Sequence, residues 1–199
     1  MTARLGPIRW GVRRDPGGGF SSRWSRSERG LEVTLAAAGA SPHDTAIELL
    51  LCLGEALWEK APAAEREAWL RLLAGEIDAG VEGELDEDAR REKHALLAGR
   101  VSARSRRRLE RYARASFAAT AAEYVHCLWH DVTVEAGPEH LPALWLRRRL
   151  ELLARWFPPN RGYRLFSAAA PDAARAPSDP KVLRRRARSR RRQPRRPRR

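Results

Sequence analysis

Two stretches of this chain carry side chains whose types and spacing could do chemistry. The first is AAEYVHCLWHDVTV, residues 121–134. On a helix, Glu123, Cys127 and His130 share one side, with His126 beside them. Glu-x-x-His is half of the inward ligand set that di-metal helical bundles use, and imidazole is the commonest metal ligand. Glu123, His126 and His130 are therefore candidate metal ligands, and Cys127 with His130 is a candidate nucleophile and base. Two features oppose this. No second Glu-x-x-His occurs; the nearest counterpart is Arg91-x-x-His94. The cluster also lies opposite the apolar stripe Val125, Leu128, Trp129 and Val132, where water is the default neighbour.

The second stretch is RVSARSRRRLERYAR, residues 100–114. At 100° per residue, Arg100, Arg104, Arg107, Arg108, Arg111 and Arg114 fall within about 120° of arc. Leu109, Tyr112 and Ala113 fall on the other side, and Glu110 lies off the ribbon. Like charges at i,i+3 and i,i+4 cost about 0.2–0.5 kcal/mol per pair, so something anionic should lie against such a ribbon. An internal partner is the acidic run Glu82, Glu84, Asp86, Glu87, Asp88 and Glu92. An external one is a phosphate backbone, which the forked guanidinium suits.

Charge sharpens the second possibility. The chain has 199 residues and a net charge of +14. Residues 181–199 hold 12 basic residues and no acid, and residues 1–30 carry +5. The middle, residues 31–180, is at −3. Arg184, Arg185, Arg186, Arg188, Arg190, Arg191, Arg192, Arg195 and Arg196 make the closing run a candidate polyanion-binding arm. Only three of the 39 basic residues are lysines, and Ala, Gly and Pro are also abundant, so a GC-rich coding bias explains the same excess. Trp10 and Trp24 among the N-terminal arginines could stack on single-stranded bases.

The elements that must hold these residues read as helices. Ser41-Pro42-His43-Asp44 is a helix start with Ser as N-cap and Pro at the first position, and the helix runs to about Lys60. Ala61-Pro62 opens a second helix, with the stripe Trp69, Leu70, Leu72, Leu73 and Ile77, and Gly80 stops it. A third begins at Asp86 and kinks near Gly99 or continues through the ribbon. A fourth covers about 117–133, and a fifth about 142–157, ended by Pro158-Pro159. Trp58, Trp69, Trp129, Trp145 and Trp156 flank apolar stripes and should pack in the core.

The expectation is an all-α fold: a compact bundle of about five helices over residues 41–166. Disordered basic arms should flank it, residues 1–40 and, after a Pro/Ala linker, 167–199. An internal start codon near Val33 would make the first of these arms an artefact. Two cysteines with no paired spacing fit neither a zinc motif nor a disulfide framework. The longest apolar run, residues 46–58, is too short to span a bilayer. The expected protein is cytoplasmic, with no membrane segment and no cofactor. It associates with RNA or DNA without reading bases. The alternatives are a helical adaptor for a protein partner and a metal-binding helical enzyme.

Overall fold

The computed structural model describes residues 1–13, 20–37, 40–98, 104–128, 139–163 and 165, with Phe20, Ala37, Arg104 and Ser105 described by backbone alone. All of them lie in one compact unit, Met1–Leu165. The expectation of a helices-only bundle is wrong. Among the described residues there are six helices and a three-stranded mixed sheet.

The sheet is made from the N-terminal region expected to be a disordered arm. After α1 (Thr2–Leu5) come β1 (Ile8–Arg13), β2 (Phe20–Ser27) and β3 (Gly30–Ala37). β3 is central, with β1 parallel on one side and β2 antiparallel on the other. Leu31, Val33 and Leu35 alternate along β3 and are fully buried. In register with them lie Ile8, Trp10 and Val12 of β1, and Arg26, Trp24 and Ser22 of β2. The arginines and serines that hid a strand period in the sequence are mostly its outward half: Arg9, Arg13, Ser21, Arg23 and Ser25 are exposed. Gly30 closes the β2–β3 turn at φ 117°, and a Cβ there would lie 2.2 Å from the Pro7 carbonyl oxygen.

The helices follow: α2 (Pro42–Glu59), α3 (Ala63–Asp78), α4 (Glu87–Leu97), α5 (Arg104–Cys127) and α6 (Ala143–Trp156). Ser41 Oγ accepts from the Asp44 N–H at 3.0 Å and starts α2. Asp86 Oδ1 accepts from the Ala89 N–H at 2.7 Å and starts α4. α5 differs from expectation: the ribbon from Arg104 onward and the expected fourth helix as far as Cys127 are one element of 24 residues. It is the spine, packing on α2, α3, α4 and α6. Tyr112, Ala113, Phe117, Ala118, Ala121 and Ala122 line its buried side. Small residues there let α2 approach closely. A Cβ on Gly54 would sit 2.7 Å from Ala118 Cα. Gly54→Ala should therefore lower stability by about 1–3 kcal/mol in urea unfolding. The gain in helix propensity, about 1 kcal/mol, is too small to reverse the sign.

Trp69 and Trp156 both pack against Phe117, with ring centroids 5.3 and 6.4 Å away. The sheet rests on α2: Trp24 Nε1 donates to Glu55 Oε2 at 2.8 Å, and Ser22 Oγ donates to Glu48.

Candidate functional site

The structure narrows the arginine ribbon. Arg100 lies outside the described residues, and Arg104 starts α5. Arg108 Nη1 donates to the Ala95 carbonyl in the last turn of α4 at 3.1 Å. Arg111 Nε donates to Glu92 Oε2 at 2.9 Å. Arg114 Nη2 donates to Glu55 Oε2 at 2.9 Å, and its Nη1 lies 3.8 Å from Glu59. Its guanidinium also stands over the Trp24 ring at 5.8 Å. Of the acidic run expected as the internal partner, Glu92 is the one paired with the ribbon among the described residues. Asp86 caps α4, Glu87 pairs with Arg90 and Asp88 with Arg91. Glu55 and Glu59, one turn apart on α2, were missed as partners because only the fold places them beside α5.

What remains is a groove of about 480 Å³ lined by Trp58, Glu59, Arg66, Arg107, Glu110, Arg111 and Arg114. Four arginines face two glutamates there. Arg107 is exposed and has no ion pair among the described residues. Arg66 lies over Trp58 at 5.6 Å and donates from Nη2 to the Glu59 carbonyl at 2.8 Å. The Nε atoms of Arg66 and Arg114 are buried with no acceptor among the described residues. Such a groove can take an anion with several oxygens, since guanidinium donors converge on it from α3 and α5. The arginines of the closing run lie outside the described residues.

The histidine cluster is looser. His126 Nδ1 lies 3.7 Å from Glu123 Oε2, and Cys127 Sγ donates to Glu123 Oε1 at 3.5 Å. His43 meets the His126 ring edge-on at 5.7 Å. Burial, with Glu123 close by, pushes the Cys127 thiol up to about 12, so it is not a thiolate nucleophile at neutral pH. His130 lies outside the described residues. Among the described residues no three His, Cys, Asp or Glu side chains are arranged to hold a metal ion.

Sequence reasoning missed a buried cluster of charges among the described residues. Arg149 on α6 is fully buried. Its Nε donates to Glu76 Oε1 at 2.8 Å, Nη1 to Glu84 Oε2 at 2.8 Å and Nη2 to Glu84 Oε1 at 2.9 Å. Lys93 Nζ donates to Glu84 Oε1 and to the Gly83 carbonyl, both at 3.1 Å, and Tyr112 OH donates to Glu84 Oε1. Burial alone would raise the Glu84 carboxyl, but Arg149 and Lys93 outweigh it and hold it below its usual range. Two cations match two carboxylates, so the cluster offers no spare acid or base. It is a clamp joining α3, α4, α5, α6 and the loop before α4. The signal was legible: Arg149 is spaced i+3 from Leu146 and i−4 from Leu153, on the apolar stripe itself.

Beside the clamp, burial pushes the Asp86 carboxyl up to about 6, against the Ala89 hydrogen bond that favours its charge. A raised folded value means stability that is full below the unfolded value of about 4 and lost as pH rises through about 6. Two units correspond to about 3 kcal/mol, or about 1–2 after solvent screening. Asp86→Asn keeps a cap of similar quality. It should stabilise the protein by about 1–2 kcal/mol at pH 7, and the difference should vanish near pH 4, measured by urea unfolding at both values.

No protein-family model matches the chain, and no curated protein or solved structure is significantly similar to it. Among the described residues no helix is long and apolar enough to cross a membrane.

Proposed function

We propose that the protein associates with nucleic acid, RNA or DNA, through its phosphate backbone and without reading bases. The observation that supports this is the groove between α3 and α5, where Arg66 and Arg107 have no carboxylate partner among the described residues, beside Arg111 paired with Glu92 and Arg114 paired with Glu55. Arginine is the residue suited to bidentate phosphate contact. The run from Arg184 to Arg196 supplies long-range attraction and fast encounter, and the groove orients the folded unit. The sequence contains no recognised base-reading module. We place the protein in the cytoplasm, where the free Cys52 and Cys127 would stay reduced.

The test is binding of labelled single-stranded RNA and duplex DNA at increasing salt. The full chain should give a steep log–log slope, about −0.9 per phosphate contact on duplex DNA. Arg107→Ala should reduce the slope by about one contact, and removing residues 181–199 should reduce it much further. A flat slope, or affinity unchanged by both variants, would refute the proposal.

A further inference from the structure

Among the described residues the sheet has an edge that no other element covers. The Leu31 N–H donates to the Pro7 carbonyl at 2.9 Å, which sets the β1–β3 ladder in the register Ile8↔Leu31. In a parallel ladder alternate residues of one strand bond to the neighbour. Pro7, Arg9, Gly11 and Arg13 therefore turn their backbone groups toward β3. The N–H and C=O groups of Ile8, Trp10 and Val12 turn the other way, and among the described residues no strand pairs with them.

The same three residues carry apolar side chains on the face that looks toward the helices. Across β3, Trp24 occupies the equivalent place beside Val33, half-buried and bonded to Glu55. α2 packs against β2 and β3. Beyond that cover, Trp10 is 58% and Val12 50% exposed. An open strand edge flanked by exposed tryptophan and valine is a template for another strand.

Charge decides which strand. Arg9 and Arg13 project from the outer face and are exposed. A second copy of β1 added in register, centred on Gly11, would set Arg9 against Arg13 twice if antiparallel. If parallel, it would set each arginine against itself. Like charges placed directly opposite destabilise a pair. The strand already beside β1 shows the fitting pattern. β3 reads Leu31, Glu32, Val33, Thr34, Leu35, with the carboxylate in register with Arg9 and the apolar residues with Ile8, Trp10 and Val12.

We infer that the open edge of β1 docks an extended peptide segment of a partner protein, acidic and apolar at alternate positions, which joins the sheet as a fourth strand. Backbone bonds to Ile8, Trp10 and Val12 give the affinity. Alternate acids against Arg9 and Arg13 give the selectivity. The surface is distinct from the arginine groove and does not depend on it.

The experiment is fluorescence anisotropy on the full chain with a labelled peptide, Ser-Leu-Glu-Val-Glu-Val-Glu-Ser, and with its counterpart in which lysine replaces glutamate. The acidic peptide should bind and the lysine peptide should not. Val12→Pro removes a donor on the open edge while sparing the bonds to β3, and should weaken binding at least tenfold. Trp10→Ser should weaken it at least fivefold. Arg9→Glu with Arg13→Glu should exchange the preference for that of the lysine peptide. Should Val12→Pro fail to fold, by circular dichroism and melting, the other two variants carry the test. Absence of binding overturns the inference. Binding untouched by Val12→Pro and Trp10→Ser overturns it too, since that is general attraction to arginine. A concentration-dependent dimer that Val12→Pro abolishes also overturns it, because the occupant is then a second copy.

Discussion

Replacing Arg149 with methionine should lower the unfolding free energy by about 3–5 kcal/mol, the range for removing one partner of a buried ion pair. The volume change is small, so packing is not the main cause. The loss comes from the carboxylates of Glu76 and Glu84, fully desolvated and stripped of four guanidinium hydrogen bonds. Lys93 remains for Glu84, whereas Glu76 keeps no cation among the described residues. The charge-balanced double variant, Arg149→Met with Glu76→Met, should recover most of the loss.

The pH profiles separate this cause from a packing defect. In the natural chain the Glu84 carboxyl titrates below its usual range. Its contribution is therefore present above the unfolded value and lost as pH falls through the lowered folded one. In Arg149→Met only Lys93 and Tyr112, among the described residues, still bond the Glu84 carboxylate. The stability lost as pH falls should therefore be smaller than in the natural chain, while a packing defect would leave that loss unchanged. Urea unfolding as a function of pH is the measurement.

Trp69→Ala should cost a similar amount, about 3–5 kcal/mol, for a different reason. The ring is fully buried, meets Phe117 edge-on at 5.3 Å and lies 6.4 Å from Trp156. Its removal leaves a void that α3, α5 and α6 cannot close without moving. The indole hydrogen bond is a minor share. Ser116 Oγ, its acceptor at 3.2 Å, still donates to the Ala113 carbonyl. Trp69→Phe, which loses that bond and keeps a ring, should accordingly cost much less than alanine. At about 2–4 °C per kcal/mol, the alanine variant should melt about 6–20 °C lower. Arg149 stands 5.8 Å over the same ring, so the two losses should be non-additive, by about 0.5–3 kcal/mol in a double-mutant cycle.

The parts of this fold legible in sequence are those written in local chemistry. Ser41-Pro42 and Asp86 mark helix starts because a side-chain oxygen must satisfy an N–H two or three residues on. Pro158 ends α6 because it cannot continue the ladder. The sheet was obscured because its open face is arginine and serine, and β2 has Ser22 and Arg26 on its inner side as well. Only Leu31-x-Val33-x-Leu35 shows the buried half of the alternation plainly. The ribbon was legible as a face of α5, but not its neighbours. Glu55 and Glu59 come from about sixty residues earlier, and no spacing rule connects them to Arg114. The clamp was hidden differently: its charged members were counted with the polar residues, although Arg149 keeps step with leucines.

The central place of β3 sets a timetable for the nascent chain. The β2–β3 hairpin joins near neighbours, Ser27 and Gly30, across a two-residue turn, and can close as soon as both are free. β1 is synthesised first, yet its mate begins some twenty residues downstream at Leu31. At about 5–20 residues per second, its tryptophan and valine wait roughly 1–5 seconds for a home. During translation the earliest strand is thus the last to be stitched in.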